Sequence, residues 1–368
     1  MSKYSLDHRK RIDRLRNSMD NQDIDAALLF ERGNVRYFTG WHQNPSSFSL
    51  LYVSQDDMKY LVPELDFKAV QTECWIDSDN IYKFEADPVG RLDETTETNS
   101  IDSVGIEKDS ILSVRKEKIK SALSKNVKNV NELINELRII KSKEEINLYR
   151  EAAEKTSEVM NTIIDELEVG MKEREISARA KYLMESLGAE GQSFEPFAMS
   201  GNHSWMPHRS STDKELKKGD LTLLDMGMMW DGYSTDMTRT FMVGKPSEEQ
   251  EDMFEAAAEA QKAAIEALGP GVIAEEVHKA AVNVFKEYGY EEYFPHLTGH
   301  GVGCDIHENP IIDEGHQTEL KPGMIATIEP GIYKEGVGGA RIEDMVLITD
   351  SGYEVLTEAP RNLQGLSI

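Results

Sequence analysis

Residues 8–20 carry apolar side chains at helical spacing with charged residues between them, which predicts an amphipathic helix, and the unbroken apolar run 26–30 predicts a short buried strand. Residues 48–53 and 58–62, separated by polar Ser54 to Asp57, predict a hairpin, and further strand and helix candidates continue to about Val127. The pattern changes near Arg138. Ser142 and Glu145 have capping-box spacing, and Ile146, Tyr149, Ala153, Thr156, Met160, Ile163 and Leu167 follow with a helical period up to a stop at Gly170. A second helix is expected over 173–187, stopped by Gly188, with strands from Leu221 onward. The order then recurs: Ser247 and Gln250 cap a helix ending near Gly269-Pro270, residues 274–288 form another ending at Gly289, and strands follow. The expectation is an α/β (α+β) chain of two domains, 1–135 and 136–368, the second made of two helix-helix-sheet halves without a strict sequence period.

A chain of 368 residues with 39% hydrophobic and 8% aromatic residues supports sizeable cores. Its formal net charge of −26 repels phosphate backbones and anionic lipid surfaces, so neither nucleic acid nor membrane is an expected partner. The acidity has two readings, a solvated surface with a carboxylate-rich site or adaptation to a saline environment. Cys74 and Cys304 suggest no disulfide framework, the start of the chain lacks a signal-peptide core, and no run of about eighteen apolar residues occurs. A cytoplasmic location is expected.

The segment LTLLDMGMMWDGYSTDMTRTFMV reads as two strands joined at Asp231-Gly232, a dipeptide suited to a two-residue type I′ turn. That register sets Asp225 opposite Thr238 and Asp236 opposite Gly227, with both aspartates on one face as diagonal neighbours about 7–8 Å apart. Aspartates near a turn are usually solvated, so the argument needs further ligands. His300 among glycines, and Glu329 and Glu343 at the ends of apolar strands, supply them, because carboxylates in such strands want partners. One imidazole with four carboxylates is a hard, oxygen-dominated set suited to Mn²⁺ first, with Co²⁺ or Fe²⁺ also suitable and Zn²⁺ tolerated. Two such ions about 3.5–4 Å apart acidify a water held between them and polarise a carbonyl, which is amide hydrolysis.

At this point the chain resembles the creatinase and methionine aminopeptidase superfamily, metallopeptidase family M24, and within it the Xaa-Pro aminopeptidases and prolidases. That family combines a DxG…D hairpin with GHGxG, EPGxY and GGxRIED motifs; this sequence has DMGMMWDGYSTD, GHGVG, EPGIY and GGARIED in the same order. The resemblance covers most of the chain. It implies a creatinase-like N-terminal domain, a pita-bread catalytic domain with internal pseudo-twofold symmetry, and two metal ions held by Asp225, Asp236, His300, Glu329 and Glu343, with Asp236 and Glu343 as bridges. It also implies roles for His208 and His307 at the substrate carbonyl and oxyanion, for His296 in proton transfer, and for Glu329 as general base. Its substrate would be a small peptide with proline in second position, cleaved by a metal-bridged hydroxide.

Arg341, on the same strand face as Glu343 by alternation, is a candidate to orient a carboxylate or the substrate terminus, while Phe194 and Ile306 are candidates for a proline-sized pocket. His8, His42, His203, His278 and His316 read as ordinary hydrogen-bonding residues, and Cys304 as a packing residue. GNVRYFTGW, residues 33–41, resembles a segment that in relatives walls the site of a neighbouring subunit and so implies a homodimer, although its residues equally permit a turn and strand. Two alternatives stay open: a metal-dependent non-peptidase of the same fold, acting on ectoine-like or sulfonium substrates, and a non-catalytic binding protein. Between His307 and Glu329 the chain has no arginine, so dipeptides and longer Xaa-Pro chains are both open as substrates.

Overall fold

The structure, a computed structural model, describes residues 4–44, 47–96, 101–109, 116–119 and 126–362. The chain divides into two compact units, Met1–Arg138 and Ile139–Ile368.

The first unit is built on a mixed sheet whose strands are β1 (Ala26–Leu29), β2 (Leu50–Ser54), β3 (Met58–Pro63), β4 (Ile81–Phe84), β5 (Ser103–Ile106) and β6 (Asn126–Asn129), in the order β4-β3-β2-β1-β5-β6. The hairpin expected from the polar break at Ser54 to Asp57 is β2-β3, paired antiparallel with Leu51 opposite Tyr60. Its helices are α1 (His8–Asp20), α2 (Arg32–Thr39), α3 (Phe67–Glu73), α4 (Pro88–Thr95) and α5 (Asn131–Ile139), the last reaching the unit boundary. Asp7 caps α1 by accepting from the Lys10 amide at 3.0 Å, and the helix buries Ile12, Leu15 and Met19 as its spacing predicts. Residues 33–39 of GNVRYFTGW are helical, not a turn and strand; Gly40 ends that helix in the left-handed conformation at φ 68°.

The second unit shows the doubled order. Its first half has α6 (Lys143–Glu166) and α7 (Glu173–Ser186), then β7 (Gly191–Gln192), β8 (Phe197–Ser200), β9 (Leu221–Met226), β10 (Met228–Trp230), β11 (Tyr233–Ser234) and β12 (Met237–Met242). The second half has α8 (Glu248–Glu266) and α9 (Ala274–Tyr288), then β13 (Gly299–Gly301), β14 (Glu308–Ile312), β15 (Ile325–Ile328), β16 (Gly331–Lys334), β17 (Gly338–Arg341), β18 (Asp344–Thr349) and β19 (Gly352–Val355). Both capping boxes form, at Ser142/Glu145 and Ser247/Gln250. The helix α6 stops before Gly170 because Leu167 already turns extended, at ψ 133°.

The two halves repeat in their backbone hydrogen bonds. Gly170 N donates to Leu216 O and Leu216 N to Met171 O; Gly271 N donates to Leu320 O and Leu320 N to Val272 O. These pairings superpose Glu215-Leu216-Lys217-Lys218-Gly219 on Glu319-Leu320-Lys321-Pro322-Gly323, a short repeat within a sequence that has no strict period. Continued along the strands, the same alignment places Asp225 in β9 where Glu329 follows β15.

The hairpin register holds on both sides of Gly227, although Gly227 and Asp236 themselves belong to neither ladder. Trp230 pairs with Tyr233, Met229 with Ser234, Met226 with Met237 and Asp225 with Thr238, around Asp231 at φ 47° and Gly232 at φ 87°. Positive φ at both turn residues is what a type I′ turn requires, and Asp-Gly supplies it at low cost. The hairpin nevertheless serves two sheets, with β9 and β12 joining β8 and with β10 and β11 joining β7. The change of sheet falls at Gly227, where a Cβ would lie 1.9 Å from Thr235 O. Among the described residues no helix is long and apolar enough to cross a membrane.

The close approach of Gly227 to Thr235 falls between Asp225 and Asp236 on the hairpin. Gly227→Ala should destabilise the protein by about 1–3 kcal/mol or more, as overpacking does, read as a lowered urea midpoint at unchanged slope. An unchanged midpoint would show that the hairpin can part there freely.

Candidate functional site

Asp225 lies in β9 and Asp236 immediately precedes its partner β12; Glu329 immediately follows β15 and Glu343 immediately precedes its partner β18. Each half of the doubled unit thus delivers one acid from the end of its first central strand and one from the entry to the strand paired with it. His300 comes from the middle of β13, which pairs with β15. Gly299 permits that approach, since a Cβ there would meet Thr327 O at 1.9 Å, and Thr327 Oγ1 accepts from the His300 amide at 3.0 Å. The segment Gly299–Gly301 is a strand buried along its whole length.

The donor set meets geometrically. One ligand atom each of Asp236, His300 and Glu343 lie within 4.8 Å of one another. His300 Nδ1 is 3.0 Å from Gly301 O, which can only accept, so Nδ1 carries the proton and Nε2 presents a lone pair. That bare nitrogen faces Glu329 Oε1 at 3.3 Å and Asp236 Oδ2 at 3.6 Å. Acceptors facing acceptors repel unless a cation or proton lies between them. Buried Asp225 Oδ1, Asp236 Oδ1 and Glu343 Oε1 also have no hydrogen-bond partner. Burial first, and then the neighbouring carboxylates, push Asp236 and Glu343 well above the usual carboxylate range, and burial pushes Glu329 up to about 7. Orphaned oxygens, a lone-pair imidazole and an excess of buried negative charge together fit divalent cations.

Compensation from the protein itself comes through Arg341. This buried guanidinium donates to Asp225 Oδ2, to Tyr333 Oη at 2.7 Å and to Thr238 Oγ1 at 3.2 Å. It does not share a strand face with Glu343 as alternation suggested. Arg341 closes β17 in a two-stranded sheet with β16, and the chain changes sheets before Glu343 and β18. Thr238 in turn donates to Glu343 Oε2 at 2.7 Å, and Thr327 to Glu329 Oε1 at 3.3 Å. Thr238, Thr327 and Tyr333 went unassigned in the sequence. Only Tyr333, in EPGIY, left a motif-level signal.

A cavity of about 1200 Å³ opens onto this cluster and gathers the other candidates: Phe194, His208, His296, Ile306 and His307 line it together with Asp225, Asp236, His300, Glu329 and Arg341. Glu343 is not a lining residue and lies buried beneath it. The His307 ring stands edge-on to His300 with centroids 4.4 Å apart, and His208 packs edge-on to Phe197 at 6.2 Å. His278, read as an ordinary residue, also lines the cavity, bonded to Thr298 Oγ1 at 2.9 Å. His203 is a structural partner of buried Glu173 at 3.0 Å.

His296 has a defined tautomer. Its Nδ1 lies 2.7 Å from Leu297 O and must donate, so Nε2 accepts from Tyr333 Oη at 2.9 Å. Burial, with Arg341 adding to it, lowers its pKa to about 3, so the ring is neutral at physiological pH. The folded pKa lies below the unfolded value of about 6.5, so the neutral ring contributes stability that is fully present above about pH 6.5 and is lost as pH falls toward about 3. The imidazole carbon and nitrogen resonances that disappear in His296→Gln should therefore stay at neutral-form shifts from pH 8 to pH 5. A titration midpoint near 6.5 would contradict the assignment.

Family models match the chain twice: the Creatinase/Prolidase N-terminal domain over residues 11–140 and metallopeptidase family M24 over residues 147–350. A Xaa-Pro dipeptidase from Pyrococcus furiosus is 39% identical over 96% of this chain and 99% of its own length. Among solved structures, the prolidase from Pyrococcus horikoshii OT3 superposes with a TM-score of 0.88 at 37% identity, covering 96% of this chain and 99% of that one. The X-Pro aminopeptidase from Thermotoga maritima MSB8 superposes with a TM-score of 0.89 at 28% identity, covering 97% and 99%. With both domains matched, and with a buried oxygen-rich donor set where two repeated half-folds meet, the chain belongs to metallopeptidase family M24, a metal-dependent peptidase with a creatinase-type N-terminal domain and a pita-bread catalytic domain.

Proposed function

We propose that this protein hydrolyses the Xaa-Pro bond of small peptides with proline in second position, using two divalent ions held by Asp225, Asp236, His300, Glu329 and Glu343. The observation that carries the reading is the set of three buried carboxylate oxygens without partners, beside a lone-pair His300 Nε2, at the floor of a cavity walled by further histidines. The 39% identity to a Xaa-Pro dipeptidase over nearly the full length supports the substrate class. When bound, such ions lower the pKa of water and polarise the scissile carbonyl.

The chain's own groups supply the rest. Asp236 and Glu343, whose ligand atoms lie close together with that of His300, would be the carboxylates that hold both ions; Arg341 and Thr238 orient Asp225 and Glu343. Glu329, at the cavity wall, is the proton carrier. His208 and His307, both exposed to the cavity, donate to the carbonyl oxygen and to the negative charge that develops on it. His296 is held neutral with Nε2 on Tyr333, so it acts on protons through that hydroxyl and not as an imidazolium. Phe194 and Ile306 offer apolar surface to the proline ring, whose tertiary amide brings no N–H to satisfy. The native metal is read as Mn²⁺ on the hardness of the donor set, and the working form as a cytoplasmic homodimer.

Chelator dialysis should abolish hydrolysis and added Mn²⁺ or Co²⁺ should restore it, with Xaa-Pro exceeding matched Xaa-Ala substrates by at least about tenfold in kcat/KM, the worth of a few buried methylenes. Full activity without metal would sink the mechanism, and a metal-loaded protein that ignores Xaa-Pro peptides but opens ectoine or cleaves a sulfonium compound would sink the substrate. His208→Ala and His307→Ala should each lower kcat by about 10²–10³, as loss of an oxyanion contact does, while elemental analysis still finds two bound ions. Loss of metal in either variant would make that histidine a ligand.

A further inference from the structure

The cavity has two electrically different walls. The helix α7 and the segment after β8 bring Arg174, Lys181 and Arg209, whereas the α9 side brings Glu291, Asp313 and Glu314. Most of the cations are already committed. Arg174 pairs with Asp213 at 2.8 Å, Lys181 with Glu195, and Arg341, at the cavity floor, with Asp225. Arg209 is different. Among the described residues its only hydrogen bond is from Nη1 to Met206 Sδ at 3.6 Å, a weak acceptor, and its Nε is buried without a partner.

A chain with 67 acidic residues against 41 basic ones has carboxylates available for every arginine. Leaving one guanidinium unpaired and half-buried in the active-site cavity costs free energy that a ligand anion would recover. Arg209 directly follows His208. In an Xaa-Pro dipeptide the scissile carbonyl and the free carboxylate are separated only by the proline nitrogen and Cα, so neighbouring side chains can reach one each. No arginine between His307 and Glu329 competes for that role.

We propose that Arg209 binds the free C-terminal carboxylate of the substrate, making this enzyme selective for Xaa-Pro dipeptides over longer Xaa-Pro chains. The proposal rests on the Xaa-Pro peptidase reading of the site. A guanidinium offers two parallel N–H donors to a carboxylate, a match that an internal peptide bond cannot reproduce.

The test uses the metal-loaded full chain and an Ala-Pro analogue whose scissile carbonyl is reduced to CH₂, prepared as the free acid and as the C-terminal amide. Calorimetry should show the acid binding at least about tenfold tighter than the amide, as expected for charge-assisted hydrogen bonds. In Arg209→Ala the preference should collapse to within about twofold, Arg209→Lys should keep part of it because the charge remains, and the unfolding midpoints should match wild type. Equal binding of acid and amide by wild type, or a preference that survives Arg209→Ala, would overturn the proposal. Failure of the peptidase reading is seen separately, as absence of Ala-Pro hydrolysis by wild type, and the binding comparison reads carboxylate recognition in either case.

Discussion

Four carboxylates and one imidazole share a buried space at the meeting of two half-folds, and the rest of the catalytic unit is arranged around the resulting charge. Two unit charges 4 Å apart at an effective dielectric near 20 repel by about 4 kcal/mol, so several such pairs threaten a domain whose whole stability is about 5–15 kcal/mol. One buried arginine, Arg341, opposes them by holding Asp225 while its Nη1 engages Tyr333. That leaves an excess of negative charge, seen as the upward displacement of Asp236, Glu329 and Glu343 by burial and by neighbouring carboxylates, Asp225 among them in each case. A site of this kind is unfavourable alone and favourable around cations, which couples metal binding to the folded state.

The strands that carry the acids are held from behind by a second buried network. Arg239 in β12 donates to Glu343 O at 2.6 Å and to Asp344 Oδ1 at 2.7 Å, and Asp344 Oδ2 accepts from Gln261 and Arg361, both at 2.7 Å. Both members of the Arg239–Asp344 pair are fully buried. Removing one partner of such a pair typically costs about 3–5 kcal/mol, because the other charge is left uncompensated. Its value here is positional: it ties the hairpin of the first half to the strand entry of the second at the residue adjoining Glu343. Small residues on α8, among them Ala256, Ala260 and Ala264, pack in the core with Ile328, Ile332 and Val346 of the second-half strands.

Much of this was legible along the chain because it is local. Helix periods and caps at Ser142 and Ser247 depend on side chains a few positions apart, and the Asp231-Gly232 turn sets the pairing of Asp225 with Thr238 through period-two alternation alone. The four motifs carrying the acids and His300 were visible because each pairs a charged residue with glycines or apolar strand residues that make its placement costly elsewhere. The short strands β7 and β8 were not visible, since two to four residues carry no period to read.

Tertiary structure alone decided what those local pieces meet. The commitment of Arg341 to Asp225 joins residues 116 positions apart, and the switch of the hairpin at Gly227 and the separation of Arg341 from Glu343 into different sheets depend on how the strands assemble into sheets. Thr238, Thr327 and Tyr333 join the site through side-chain hydrogen bonds that only the fold sets, and Arg209 is set apart by having no carboxylate partner among the described residues, which no sequence displays. The sequence by itself determined the element types, their caps and the identity of the buried acids, because period, turn chemistry and desolvation act on neighbours. Partner choice between distant polar groups belongs to the folded chain, because a hydrogen bond depends on distance and angle, and only packing sets those.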